Sequence, residues 1–131
     1  MSQAIYDEIL EIERLFKEDK VREANEKALS LGVNGFKDTV TIPGRRITQL
    51  TIQHDKETDR ARKKEIRKEI AALQKIYKKY HPVCVAVHHL YQAFGYTTSL
   101  VDGLDNYYRK VVIPRGWKKV EKAKKLARKL I

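Results

Sequence analysis

Apolar side chains recur along this chain mostly at intervals of three and four residues, the period of an α-helix with one packed face. Ile5, Ile9, Ile12 and Phe16 share one side of a first helix, with Glu and Lys on the other and Ser2 as N-cap. After a change of phase at Asp19-Lys20, Val21, Ala24, Ala28 and Leu31 continue the period. Gly32 is the residue expected to close that helix, and Gly32 to Gly35 reads as a turn. The stretch from Thr39 to Ile52 is ambiguous, because β-branched residues on both sides of Pro43-Gly44 also fit a small hairpin. From about Arg46 to Tyr80 neither Gly nor Pro occurs, which predicts one long helix with Ile66, Ile70, Leu73, Tyr77 and Tyr80 as its apolar stripe.

His81-Pro82 is expected to break the chain and start a helix packed through Val83, Val87, Leu90 and Phe94. Gly95 ends it, Thr97 or Thr98 caps the next, and Leu100, Val101, Leu104, Tyr108 and Val111 form that helix's packed face. Pro114-Arg115-Gly116 reads as a turn before an amphipathic last helix through Trp117, Val120, Ala123, Ala127 and Leu130. The expected fold is therefore an all-α helical bundle in a single domain over 1–131. Acidic helices occupy 1–35, a linker and long basic helix 36–81, and core helices with a basic C-terminal helix 82–131.

Charge sharpens this picture. The 131 residues carry 28 Lys+Arg against 17 Asp+Glu, a formal net charge of +11, while 42% are hydrophobic. A chain that apolar folds, and its positive excess makes a polyanion the first partner to consider. The excess is local. Residues 1–35 hold eight acidic and five basic side chains, whereas 56–81 hold ten basic and four acidic and 109–131 hold ten basic and one acidic. Lys56, Arg60, Lys63, Arg67 and Lys78 fall on a line about 100° around the helix from its apolar stripe, leaving a cationic flank beside a packing face. Ten cations on the last segment repel one another unless an anionic surface is near. A basic amphipathic helix can also lie on an anionic membrane, with Trp117 as its interfacial anchor.

Candidate chemistry is sparse. The single Cys84 allows no intramolecular disulfide and too few thiolates for a zinc finger, which fits a reducing compartment. The N-terminus lacks the basic and apolar regions of a secretory signal. The uncharged run from Pro82 to Val101 has the length of a membrane span, but its His, Gln, Thr and Ser fit a buried core helix better. His81, Cys84 and His88 share a helical face at a spacing acceptable for a transition metal, without a carboxylate to complete the set. His88-His89 with Tyr107-Tyr108 has the ingredients of a metal-dependent nuclease, but adjacent histidines point to different sides of a helix or strand. Phosphate-binding glycine loops, nucleophile elbows and H-E-x-x-H are absent. No enzyme, cofactor or metal centre is expected.

The stretch Thr97-Thr-Ser-Leu-Val-Asp-Gly-Leu-Asp-Asn-Tyr-Tyr-Arg-Lys-Val-Val-Ile-Pro-Arg-Gly-Trp117 resembles a region of the helical major capsid proteins of archaeal filamentous and rod-shaped viruses, the lipothrixviruses, rudiviruses and tristromaviruses. Val101, Gly103, Leu104, Tyr107 and Tyr108 carry the likeness as a helix-packing motif, with Leu90-Tyr91-Gln92-Ala93-Phe94-Gly95 upstream. The resemblance implies a bundle with long, partly extended helical arms, paired with itself or with a paralogous coat subunit in a helical filament around linear, A-form double-stranded DNA. It implies a virion protein made in the host cytoplasm, with a lipid envelope as a further partner. Because residues 1–35 are net acidic, DNA contacts are expected instead from Arg45, Arg46, Lys56, Arg60, Lys63, Lys64, Arg67, Lys68, Lys75 and Lys78, and from Lys118, Lys122 and Lys125 at the C-terminus. With no Asn, Gln and Arg set visible for reading base edges, those contacts should go to phosphates. The alternative function is a nucleoid-type or regulatory DNA-binding protein.

Overall fold

The computed structural model describes residues 2–95 and 113–131, and every regular element among them is helical. In order they are α1 (Ser2–Lys17), α2 (Val21–Asn34), a π-helical turn (Lys37–Thr41), α3 (Ile42–Lys56), α4 (Arg60–Gly95) and α5 (Ile113–Arg128). Two compact units result: Met1–Gly35 with Pro82–Ile131, and Phe36–His81. The packing motif Val101, Gly103, Leu104, Tyr107 and Tyr108, and the helix expected around it, lie outside the described residues.

In the first unit α1 is the central packing element, set against both α2 and α5. Its apolar face is buried as the period predicts: Ile5, Ile9, Ile12, Leu15 and Phe16. Each such side chain is worth about 1.5–3 kcal/mol of transfer free energy. The facing helices present small residues, Ala24 and Ala28 on α2 and Ala123 and Ala127 on α5, all fully buried. Val83, Ala86, Val87 and Leu90 of α4 complete this buried set. Gly32 belongs to α2 rather than ending it; a Cβ there would come within 3.2 Å of the His88 ring. Glycine at this point is therefore a matter of close helix approach and not of a turn.

The change of phase after α1 is a Schellman cap. Lys20 N–H donates to the Leu15 carbonyl at 2.9 Å and Asp19 N–H to that of Phe16 at 3.2 Å. Between them Asp19 takes a φ of 61°, the left-handed conformation that the motif needs and that aspartate tolerates better than most side chains.

The second unit is a helical hairpin preceded by the π turn. Phe36 is fully buried at its start, and Thr41 N–H donates back to the Phe36 carbonyl at 3.0 Å, the wide ring of a π turn. α3 and α4 run antiparallel: Gly44 lies against Tyr77, and Arg46 pairs with Glu69 at 3.2 Å. Leu50 and Ile66 are buried, while Ile47, Ile70, Leu73 and Tyr77 are half-buried.

Three further expectations fail in this architecture, and the alternative of a small hairpin over 39–52 is not taken. No strand forms among the described residues: Thr39 and Val40 are buried in the π turn, and Pro43 starts α3, where its missing N–H costs nothing. The expected helix from Arg46 to Tyr80 is two helices. Glu57 accepts from the Thr58 and Asp59 amides at 3.1 Å, and Asp59 accepts from Ala61 at 3.3 Å, so carboxylates break the chain where no Gly or Pro does. Pro82 does not end a helix, because α4 continues through it to Gly95, with the buried Val83, Cys84, Ala86, Val87 and Leu90 holding the segment beyond. Pro114-Arg115-Gly116 is likewise the first turn of α5 and not a loop.

The left-handed Asp19 makes a direct prediction. Asp19→Gly should raise stability by up to about 1 kcal/mol, read as a higher denaturant midpoint with an unchanged slope. A lower midpoint would show that the Asp19 side chain stabilises the turn by some other means.

Candidate nucleic-acid interface

The feature that distinguishes the hairpin is the separation of its charges. At 100° per residue, Arg60, Lys64, Arg67, Lys68, Lys75 and Lys78 lie on one flank of α4, with Lys63 between them and the packed face. Six of these seven are exposed and Lys63 is half-buried. Glu65 and Glu69 lie on the opposite flank, where they pair with Arg62 at 3.5 Å and Arg46 at 3.2 Å. The remaining hairpin carboxylates are also occupied: Asp55 lies against His54, and Glu57 and Asp59 are held by backbone amides at the break. None of the seven cations forms an ion pair among the described residues.

These cations border a shallow trough of about 620 Å³ lined by Arg60, Ala61, Lys64, Arg67, Lys68 and Ala71. The small Ala61 and Ala71 keep the floor of the trough low beside the ammonium and guanidinium groups. Arg45 and Lys56 are exposed on α3. Arg46 is not free in the same way, since its guanidinium is engaged by Glu69.

α5 carries the second cationic face, in the other unit. Lys118, Lys122 and Lys125, with Lys129 continuing the row, are exposed on the side away from the buried Val120, Ala123 and Ala127. Lys124, one step round the helix, is turned to Glu13 at 2.9 Å. The Glu13 side chain is only 11% exposed and meets Lys17 as well at 3.7 Å, so the acidic N-terminal helix has a structural use as the partner of the basic C-terminal one. The hydrogen bond from Lys124 to Glu13 holds that ammonium above the usual lysine pKa. Tyr6, Glu121, Lys122, Lys124, Lys125 and Arg128 line a second open depression of about 530 Å³. Arg128 and Lys129 extend the expected set Lys118, Lys122 and Lys125, and the three- and four-residue steps of that set lead directly to them.

Trp117 is half-buried, with its ring 4.7 Å from that of Phe16, so it closes the α1–α5 contact instead of standing free as a membrane anchor. No described helix is long and apolar enough to cross a membrane. The histidines and Cys84 do not assemble into a ligand set: His81 stacks on Tyr77 and Cys84 is buried. No group of three metal-binding side chains occurs among the described residues. No family model, characterised protein or solved structure matches the chain.

Burial pushes the Cys84 thiol above its ordinary pKa, which suppresses the thiolate that reacts with electrophiles. Iodoacetamide at pH 8 should therefore label Cys84 many times more slowly in the folded protein than in denaturant, as followed by mass spectrometry. Equal rates would place the thiol at the surface.

Proposed function

We propose that this chain is a structural coat protein that packages linear double-stranded DNA. It holds the duplex through phosphate contacts without reading its sequence, and self-assembles, with itself or with a paralogous subunit, into a helical filament. The observation that carries the DNA part is the uncompensated cationic flank of α4. Seven cations without carboxylate partners are costly to keep together unless a polyanion supplies the missing charge.

The stoichiometry favours a coat. From Arg60 to Lys78 the flank is about 27 Å long at 1.5 Å per residue. B-form duplex presents one charge per roughly 1.7 Å, or about sixteen over that length, so one flank offsets fewer than half. Further cations must come from α5 or from neighbouring copies, which suits a protein that covers DNA by repetition. Lysine and arginine beside alanine hold phosphate as point charges and forks, and such contacts position a duplex without specifying it. Filament assembly and the virion setting rest on the capsid-like pattern around Gly103 and Tyr107-Tyr108, and in this reading the chain has no catalytic role.

Replacing Lys64, Arg67 and Lys68 together by Ala should weaken binding to unrelated duplexes alike. It should also reduce the steepness of the plot of log affinity against log salt by about three. An unchanged salt slope would remove this flank from the interface. Negative-stain microscopy with long linear duplex separates the coat from a nucleoid-type protein: regular filaments of constant diameter support the coat, and irregular beads or loops oppose it.

A further inference from the structure

The hairpin contains a groove that shares only Lys78 with the cationic flank. Between α3 and α4, on the same side as Lys78, an open groove of about 310 Å³ is lined by Gly44, Ile47, Thr48, Gln74, Tyr77 and Lys78. Its presence depends on Gly44, since a Cβ at that position would lie 3.2 Å from Tyr77 Cε2.

The lining has a definite chemistry. Tyr77 stacks on His81 with ring centroids 4.8 Å apart and planes 18° from parallel, the beginning of an aromatic column. Gln74 is half-buried, and its amide, both donor and acceptor, has no protein partner among the described residues. The Thr48 hydroxyl donates to the Gly44 carbonyl at 3.2 Å, which leaves its oxygen lone pairs as an acceptor. Lys78 stands at the rim and is also the last cation of the α4 flank.

We propose that this groove takes one unstacked nucleobase of the DNA whose phosphates lie along α4. The base extends the Tyr77–His81 stack, its edge meets the Gln74 amide and the Thr48 oxygen, and Lys78 holds the phosphate of the same nucleotide. A base inside a duplex is covered on both faces and cannot enter, so the groove engages only frayed ends, gaps and single-stranded tails. The proposal rests on the phosphate-binding reading and adds to it a preference for the ends of linear DNA.

The test compares the full chain's affinity for a twelve-nucleotide oligothymidylate with that for an abasic deoxyribose-phosphate chain of the same length, at one salt concentration. Charge is equal in the two, so the difference reports the base alone. The expected result is about tenfold tighter binding of the base-bearing strand, within the range found for base–aromatic stacking. Gly44→Val, which fills the groove, and Gln74→Ala, which removes the amide without disturbing the helix backbone, should each shrink that ratio while leaving the affinity for the abasic chain in place. Equal wild-type affinities, or a ratio that survives both substitutions, would overturn the proposal and leave the phosphate reading standing. Failure to bind the abasic chain and blunt duplex alike would overturn the phosphate reading itself.

Discussion

The arrangement of the hairpin's carboxylates constrains everything else about it. Glu65 and Glu69 pair with Arg62 and Arg46 on one flank of α4, and Glu57 and Asp59 accept backbone amide protons at the break between α3 and α4. Each of these interactions is modest, since exposed ion pairs contribute about 0–1 kcal/mol. Their effect on the distribution of surface charge is larger than their effect on stability. Helical spacing puts the acids on one flank and at the break, where these interactions hold them, and the other flank of α4 keeps its positive charge without an ion pair among the described residues.

The first unit solves the opposite problem. Its N-terminal helix is acidic and its C-terminal helix is basic, and the two meet across a contact closed by Phe16 on Trp117 and by Glu13 on Lys124. Removing one partner of that half-buried pair would strand the other, so the acidic character of α1 is tied to the packing of α5. One of the eight carboxylates of residues 1–35, Glu13, thus has its partner on the basic C-terminal helix, while Glu8, Glu11 and Glu18 pair with cations of the N-terminal helices themselves. α5 still keeps Lys118, Lys122, Lys125 and Lys129 exposed on its far side.

Much of this was legible in the pattern of residues. The faces Ile5-Ile9-Ile12-Phe16 and Val120-Ala123-Ala127-Leu130 are buried where helical spacing puts them. The cationic flank was legible for the same reason, because 3.6 residues per turn places side chains around a cylinder whatever its neighbours are. The element boundaries are less legible. Proline is a helix breaker by its chemistry, yet burial after Pro82 carries α4 through it, and Pro114 falls in a first turn. The real break at Glu57–Asp59 contains no glycine or proline, and its signal was an aspartate suited to cap the helix that follows. The groove at Gly44 depends on pairing α3 with α4, a tertiary fact that neither helix carries alone.

The central claim is that an uncompensated row of about seven cations binds duplex DNA through its phosphates. Its most direct measurement is the salt dependence of affinity of the intact protein for two unrelated linear duplexes. At about 0.9 per contact, the account predicts parallel lines of log affinity against log salt, with slopes of roughly −6 or steeper. A slope shallower than about −2, or tight binding confined to one of the two sequences, would contradict it.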